Sequence, residues 1–277
     1  MEILEATDNK ILQFKAISAL TSFLNKEFDP NAVSAVLATK RDRIVKTVTG
    51  NPDPYARKKQ LSNQRALKIL PQVENLVTRE TSSEARFRRA CLCAIVGNII
   101  EFDIPEHEFR FEDIGKMILQ AQQDLSIDDI SKIFNVAKTA KEILYLTDNA
   151  GEIVFDTVLV TQLKKLSAHV TVAVKEKPVI NDATLQDAQA VGMQEIADAL
   201  VTNGTDAVGL IAEECSKPFL TLYKSSDLVI AKGMGYAETL TETKLETPHA
   251  LLLRTKCSPV ARQFDTVRGK NVAKLMI

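Results

Sequence analysis

Sulfur and imidazole are scarce in this chain of 277 residues, which carries four cysteines and three histidines. Cys91, Cys93, Cys215 and Cys257 form no C-x-x-C pair. Their spacing fits neither a zinc knuckle nor a redox dithiol. The absence of a disulfide pattern suits a reducing cytosol, so a cytoplasmic protein is expected. Cys91 and Cys93 fall in the apolar run Ala90 to Ile100 and read as small buried residues. Cys257 has no histidine near it in its loop and reads as a packed thiol rather than a nucleophile. Basic charge is not in excess either: 35 Lys and Arg face 36 Asp and Glu, for a net charge of -1. That balance, with both signs interspersed, argues against nucleic acid as a partner. There is no basic amphipathic tract, no apolar run of membrane-spanning length, and no signal-peptide pattern in Met1 to Ala6, so no membrane partner is expected. What the chain does have is 45% apolar residues, enough for a sizeable core. A small molecule held by a local patch of charge is the expected partner.

The first half reads as helices. Thr7-Asp8 precedes an apolar pattern at Ile11, Phe14, Ile17, Leu20 and Leu24, and Pro30 opens a second at Val33, Val36, Leu37, Ile44 and Val45. Asn51-Pro52-Asp53-Pro54 breaks the chain, and Leu61, Ala66, Leu67, Ile69 and Leu70 resume it. Ser82-Ser83-Glu84 caps a long helix towards Ile100, and Ser126-Ile127-Asp128-Asp129 caps another ending near Lys138. No strand is expected before residue 141. After it, apolar runs at 142–147, 169–174, 198–202, 227–231, 249–253 and 272–277 alternate with segments of helical length. That rhythm predicts an α/β fold: a Rossmann-like three-layer α/β/α domain with a mostly parallel sheet over 141–277, behind an all-helical N-terminal domain over 1–140.

Chemistry concentrates in the loops that follow these strands, where ligands bind in open α/β sheets. The first is Asp148-Asn149-Ala150-Gly151-Glu152, with Asp156 a turn further on. These acids and amide are hard oxygen donors that suit Mg²⁺ or Mn²⁺ and a phosphate. Asp and Asn are also ordinary N-cap residues, so the loop also fits a helix start. The second is Val174-Lys175-Glu176-Lys177-Pro178-Val179-Ile180-Asn181-Asp182-Ala183-Thr184, in which Asn181-Asp182 opens a helix at Ala183. Adjacent strand ends would bring Asp182 to face Asp148 and Asn149. The third, Lys232-Gly233-Met234-Gly235-Tyr236, has glycines that let backbone N–H groups approach an anion, with Lys232 as a phosphate partner. It is not a G-x-G-x-x-G dinucleotide fingerprint. The fourth, Arg254-Thr255-Lys256-Cys257, supplies two cations. Gly204-Thr205-Asp206 is a weaker fifth. His107, His169 and His249 lie away from these loops, at expected strand edges or surface. Acids thus cluster after the first two strands and bases after the last two. A metal on the acids, bridged by phosphate to the bases, satisfies both sets.

These loops resemble those of the metal-dependent damage-control phosphatases, the domain of unknown function 89 family, in its compact bacterial and archaeal branch. The resemblance rests on Tyr145 to Glu152, Lys177 to Thr184, Asp227 to Gly235 and Arg254 to Cys257, in that order. Weaker matches run from Asp53 to Tyr55 through Leu70-Pro71, and from Gly97 to Phe102. It implies a divalent metal (Mn, Co, Ni or Mg) held by Asp148, Asn149 and Asp182. It implies that Lys256 and the loop Lys232, Gly233 and Gly235 hold the phosphate of a small phosphorylated metabolite, such as a sugar phosphate. The chain departs from many relatives in lacking an N-terminal cysteine pair and in having Tyr236 where they have Asn. The reading is a metal-dependent phosphoric monoester hydrolase. Asp148 and Glu152 are its catalytic acids, Glu152 orienting or deprotonating water, and Arg254 adds to the phosphate cations. A direct attack by Asp148 stays open. So do an S-adenosylmethionine-dependent methyltransferase and a non-enzymatic metal or phosphometabolite binder.

Overall fold

The computed structural model describes residues 2–29, 32–97, 111–241 and 244–277. Pro30, residues 98–102 and His107, each singled out above, lie outside the described residues. Seven strands form one sheet: β1 (Leu125–Asp128), β2 (Glu142–Leu146), β3 (His169–Val174), β4 (Ala199–Thr202), β5 (Leu228–Lys232), β6 (His249–Arg254) and β7 (Asn271–Met276). Their order is β1-β7-β6-β5-β2-β3-β4. All pairs are parallel except β6 with β7. The six strands expected after residue 141 are all present.

The expectation of no strand before residue 141 is corrected by β1. Asp129 N–H donates to Ala273 O (2.8 Å), Ser126 Oγ donates to Asn271 O (3.2 Å), and Asp129 Oδ2 accepts from Leu275 N–H (3.1 Å). The polar residues read as a helix cap therefore hold an edge strand, and the helix Ile130–Ala137 begins only afterwards.

Alternation along each strand builds two cores. Ile143, Tyr145, Val170, Val172, Leu228, Ile230 and Leu252 face helices that include Ala56–Thr78, Ser83–Gly97 and Glu152–Lys164. Leu144, Leu146, Val229, Ala231, Leu251 and Leu253 face Phe219, Tyr236, Leu240, Val260 and Phe264 on the opposite layer. Cys91 and Cys93 are buried in the first core, where burial pushes the Cys93 thiol up to about 12. His169 sits exposed at the start of β3, whereas His249, expected at the surface or an edge, is buried against Tyr223 Oη (2.7 Å).

The topology sets the site. From β2 the chain winds outward to β3 and β4 on one side, and β5 and β6 lie on the other. The switch point therefore falls between β2 and β5, and it opens at their carboxyl ends.

Candidate active site

Asp148 follows β2 and Gly233 follows β5, so they meet across the switch point. Gly233 has φ +81°, and a Cβ there would lie 1.9 Å from Asp148 Oδ2. Only glycine lets the carboxylate rest against this backbone, at the first residue of the helix Gly233–Leu240. Asp182 is held beside it by the chain itself. Ala150 N–H donates to Asn181 O (2.9 Å), and Ala183 N–H to Asp148 O (2.8 Å). An isolated antiparallel bridge joins Asn149 to Asp182.

The helices that follow these two loops take other residues at their starts. Gly151, at φ 80°, occupies the N-cap of Glu152–Lys164 with no side-chain cap bond. The helix expected from Ala183 begins at Leu185, where Thr184 and Asp187 form a capping box. The backbone links thus bring Asp148 beside Asp182, with the Asp148 carboxylate against the start of the helix Gly233–Leu240. Burial, with the charges of Glu152 and Asp182, raises the Asp148 carboxyl well above its ordinary range, and Lys256 and Lys232 oppose that rise. Burial also pushes Asp182 up to about 6, against Lys175, whose Nζ is 3.7 Å away. Asp148 is half-buried and Asp182 buried, and two neighbouring carboxyls held up in this way suit a divalent cation, which would favour their charged forms. Asn149 adds an amide. Among the described residues no three His, Cys, Asp or Glu side chains converge as a metal cluster.

Behind the acids lies a buried ion network. Lys232 Nζ donates to Glu152 Oε1 (2.5 Å), Asp156 Oδ1 (2.6 Å) and Ala94 O (3.0 Å). Tyr145 Oη donates to Asp156 Oδ1 (2.7 Å), and Asn149 Nδ2 donates to Glu152 Oε2 (3.1 Å) and Asp148 Oδ2 (2.8 Å). The Lys232 ammonium, expected to meet phosphate, instead gives its three N–H bonds to these acceptors. Burial would lower its pKa, but the two carboxylates hold it above the ordinary lysine value.

Residues 1–272 match the model of the damage-control phosphatase ARMT1-like domain. The chain belongs to that family. It is 38% identical over 272 residues to an uncharacterised protein of Methanocaldococcus jannaschii, covering 97% of this chain and 88% of that one. It is 35% identical to a damage-control phosphatase of Archaeoglobus fulgidus, covering 98% and 92%. The crystal structure of a DUF89 family protein from Pyrococcus horikoshii superposes with a TM-score of 0.85 at 31% identity, covering 98% of this chain and 92% of that one.

In this member of the damage-control phosphatase family, the other expected phosphate residues divide. Lys256 is exposed, its N–H donates to Met234 Sδ (3.2 Å), and its charge reaches Asp148. Arg254 turns the other way: its Nη1 donates to Asn271 Oδ1 (3.0 Å) and Asp124 Oδ2 (3.5 Å), on the side of β6 away from β5. Gly235 packs on the loop at Val208 and Gly209, where a Cβ would come within 2.9 Å of Val208 Cγ1. Asp206, in the fifth loop, pairs with Arg43 and Lys46 of the helix Ser34–Thr49.

Several supporting residues are not among the expected site residues. Lys175 is buried; its Nζ donates to Ala207 O (2.6 Å) and Gly209 O (2.9 Å) and lies 4.9 Å from the centre of the Tyr236 ring. Its position directly after β3 was a usable signal. Asp42 Oδ1 accepts from Ile180 N–H (3.0 Å) and so holds a β-branched residue at φ +46° beside Asp182. Asn63 Oδ1 accepts from Gly151 N–H (2.7 Å), while its Nδ2 donates to Asp187 Oδ1 (3.0 Å). Asp42 and Asn63 lie on helices of the first half, and no local pattern marks them. Among the described residues, no helix is long and apolar enough to cross a membrane.

Proposed function

We propose that this protein is a metal-dependent phosphatase that hydrolyses a small phosphorylated metabolite, such as a sugar phosphate. The observation that carries this reading is the meeting of Asp148 and Asp182 at the switch point, joined by the Asn149–Asp182 bridge and the bond from Ala183 N–H to Asp148 O. Asp148, Asn149 and Asp182 would hold a divalent metal, with Mn²⁺, Co²⁺, Ni²⁺ or Mg²⁺ as candidates for an all-oxygen set. When bound, such an ion polarises a phosphoryl oxygen and lowers the pKa of a water.

The chain's own residues supply the rest. Lys256, exposed beside Asp148, neutralises charge on the phosphoryl oxygens. The helix Gly233–Leu240 starts against Asp148, and its N-terminal dipole would favour an anion there. Glu152, shared between Lys232 and Asn149, acts as a positioning residue. By accepting from Asn149 Nδ2 it leaves the amide oxygen for the cation. Lys232 takes a structural part in place of the phosphate contact, and Arg254 is too engaged with Asn271 and Asp124 to serve as a phosphate ligand. The helices Ser34–Thr49 and Ala56–Thr78 reach the site through Asp42 and Asn63, and we assign them the task of fixing its loops.

The test is phosphate release from a panel of sugar phosphates, with each metal and with EDTA, beside Asp148→Ala and Asp182→Ala. Metal-dependent turnover lost in both variants supports the reading. No turnover in protein shown by calorimetry to be folded and metal-bound overturns it. Binding of S-adenosylmethionine without metal would then favour methyl transfer. A covalent phosphate on Asp148, found by mass spectrometry, would replace activated water with direct attack.

A further inference from the structure

We infer that Tyr236 is a specificity residue, whose hydroxyl donates to a hydroxyl oxygen on the carbon chain of the phosphate ester. This deepens the phosphatase reading and rests on it. Of the four tyrosines, Tyr145 and Tyr236 are buried, at 0% and 2% exposure. A buried phenol ordinarily finds a hydrogen-bond partner. Tyr145 does so, donating to Asp156 Oδ1 (2.7 Å). The Tyr236 hydroxyl has no such partner among the described residues. A donor of this kind, held in place and unused, is available to a ligand.

The surroundings of the ring place that donor at the switch point. Tyr236 lies in the first turn of the helix Gly233–Leu240, and a helical side chain leans back towards the helix start. That start is Gly233, against which the Asp148 carboxylate rests. From the face of the ring, Lys175 Nζ lies 4.9 Å from its centre and 3.7 Å from Asp182 Oδ2. Burial, with the charges of Asp182 and Asp148, raises the Tyr236 phenol well above its ordinary range, so it keeps its proton and donates. Lys175 does not compete for the ligand, since its Nζ donates to Ala207 O and Gly209 O. Strand order then separates the two ends of an ester. Lys256 follows β6 and Lys175 follows β3, so in the order β6-β5-β2-β3 they flank the switch point from opposite sides. A phosphate drawn to Lys256 leaves its carbon chain to the flank of Lys175 and Tyr236. A neutral oxygen suits the phenol there, because a second acid on the ligand would be repelled by Asp148 and Asp182.

Glycerol phosphate and propyl phosphate, which share a chain length and differ only in hydroxyls, test this on the Mn²⁺-loaded protein. The wild type should prefer glycerol phosphate by at least ~10-fold in kcat/KM, or in affinity by calorimetry if neither ester is turned over. Tyr236→Phe keeps the ring and should bring that preference to within about twofold, through a loss on glycerol phosphate, with melting temperature and Mn²⁺ affinity kept. Turnover of both esters without preference in the wild type, or a preference that survives Tyr236→Phe, overturns the inference and leaves the phosphatase reading standing. Equal losses on the two esters also overturn it, since the hydroxyl would then meet the phosphate. A preference in affinity without turnover, lost in Tyr236→Phe, supports the contact and overturns the phosphatase reading. Binding of neither ester overturns both.

Discussion

Lys232 Nζ lies 2.5 Å from Glu152 Oε1, so the last residue of β5 and the first of the helix Glu152–Lys164 meet behind the site rather than in it. Both side chains are fully buried, and Asp156 completes the set at 2.6 Å. Removing the single cation leaves two carboxylates without compensation. Lys232→Met should therefore destabilise the fold by about 3–5 kcal/mol, the range for breaking a buried pair. Urea unfolding measures the loss. A loss under about 1 kcal/mol would mean that the carboxylates rearrange or take up protons at no great cost.

Gly233 makes the most local prediction. Alanine at this position meets two obstacles, a left-handed φ and the Asp148 carboxylate at 1.9 Å from its Cβ. The backbone strain is worth about 1–2 kcal/mol. The larger effect should be on the carboxylate, which must move from the switch point. Gly233→Ala is expected to stay folded and to bind Mn²⁺ at least ~10-fold more weakly in calorimetry. Gly50, also at positive φ but with open space around its Cβ, is the control: Gly50→Ala should cost stability and leave metal affinity unchanged.

Short apolar runs after residue 141 were legible because each is bounded by polar turns, and β2, β3, β5 and β6 are buried on both faces. β1 was not, since Leu125–Asp128 is a four-residue edge strand whose Ser and Asp also fit a helix cap. Its strand state is decided by pairing with β7, almost 150 residues later in the chain. The same split runs through the site. Asp148, Asn149 and Asp182 come together because parallel strands align their carboxyl ends, which order along the chain suggests. Lys232 was placed with phosphate because a lysine beside two glycines reads that way. Strand alternation turned it instead into the layer of Glu152 and Asp156. Arg254 and Lys256, two positions apart, also part company, one towards Asn271 and one beside Asp148. Asp42 and Asn63 act from helices whose docking no local pattern encodes.

Lys256 should separate catalysis from stability. It is exposed, and its side chain has no part in either core. Lys256→Ala is expected to leave the melting temperature within about 1 °C, as for most surface changes. Phosphate release should fall by roughly 10²–10³ in kcat/KM, the size of losing one cation or donor at a developing negative charge. Lys256→Arg should recover part of it. An unchanged kcat/KM would remove Lys256 from the phosphate site and leave the helix start at Gly233 as the anion contact.

Acid should weaken metal binding through the same two carboxyls that define the site. Asp182 is pushed up to about 6 by burial, and Asp148 is raised as well. Each must lose its proton to hold a cation. In metal-free protein the folded state keeps these protons where the unfolded chain, near 3.9, has lost them. Their protonation thus stabilises the fold as the pH falls from about 7 to about 5. His249 acts oppositely, because burial depresses its pKa below 6.5 and the unfolded chain takes up a proton that the folded one refuses. The gain in melting temperature on adding Mn²⁺, taken at each pH against metal-free protein, cancels the His249 contribution. That gain should shrink steadily from about pH 7 to about pH 5. In Asp182→Asn, with one titrating ligand fewer, it should be smaller at pH 7 and fall less steeply. A gain that is constant across this range in the wild-type protein would show that the cation is not held by carboxylates raised in this way.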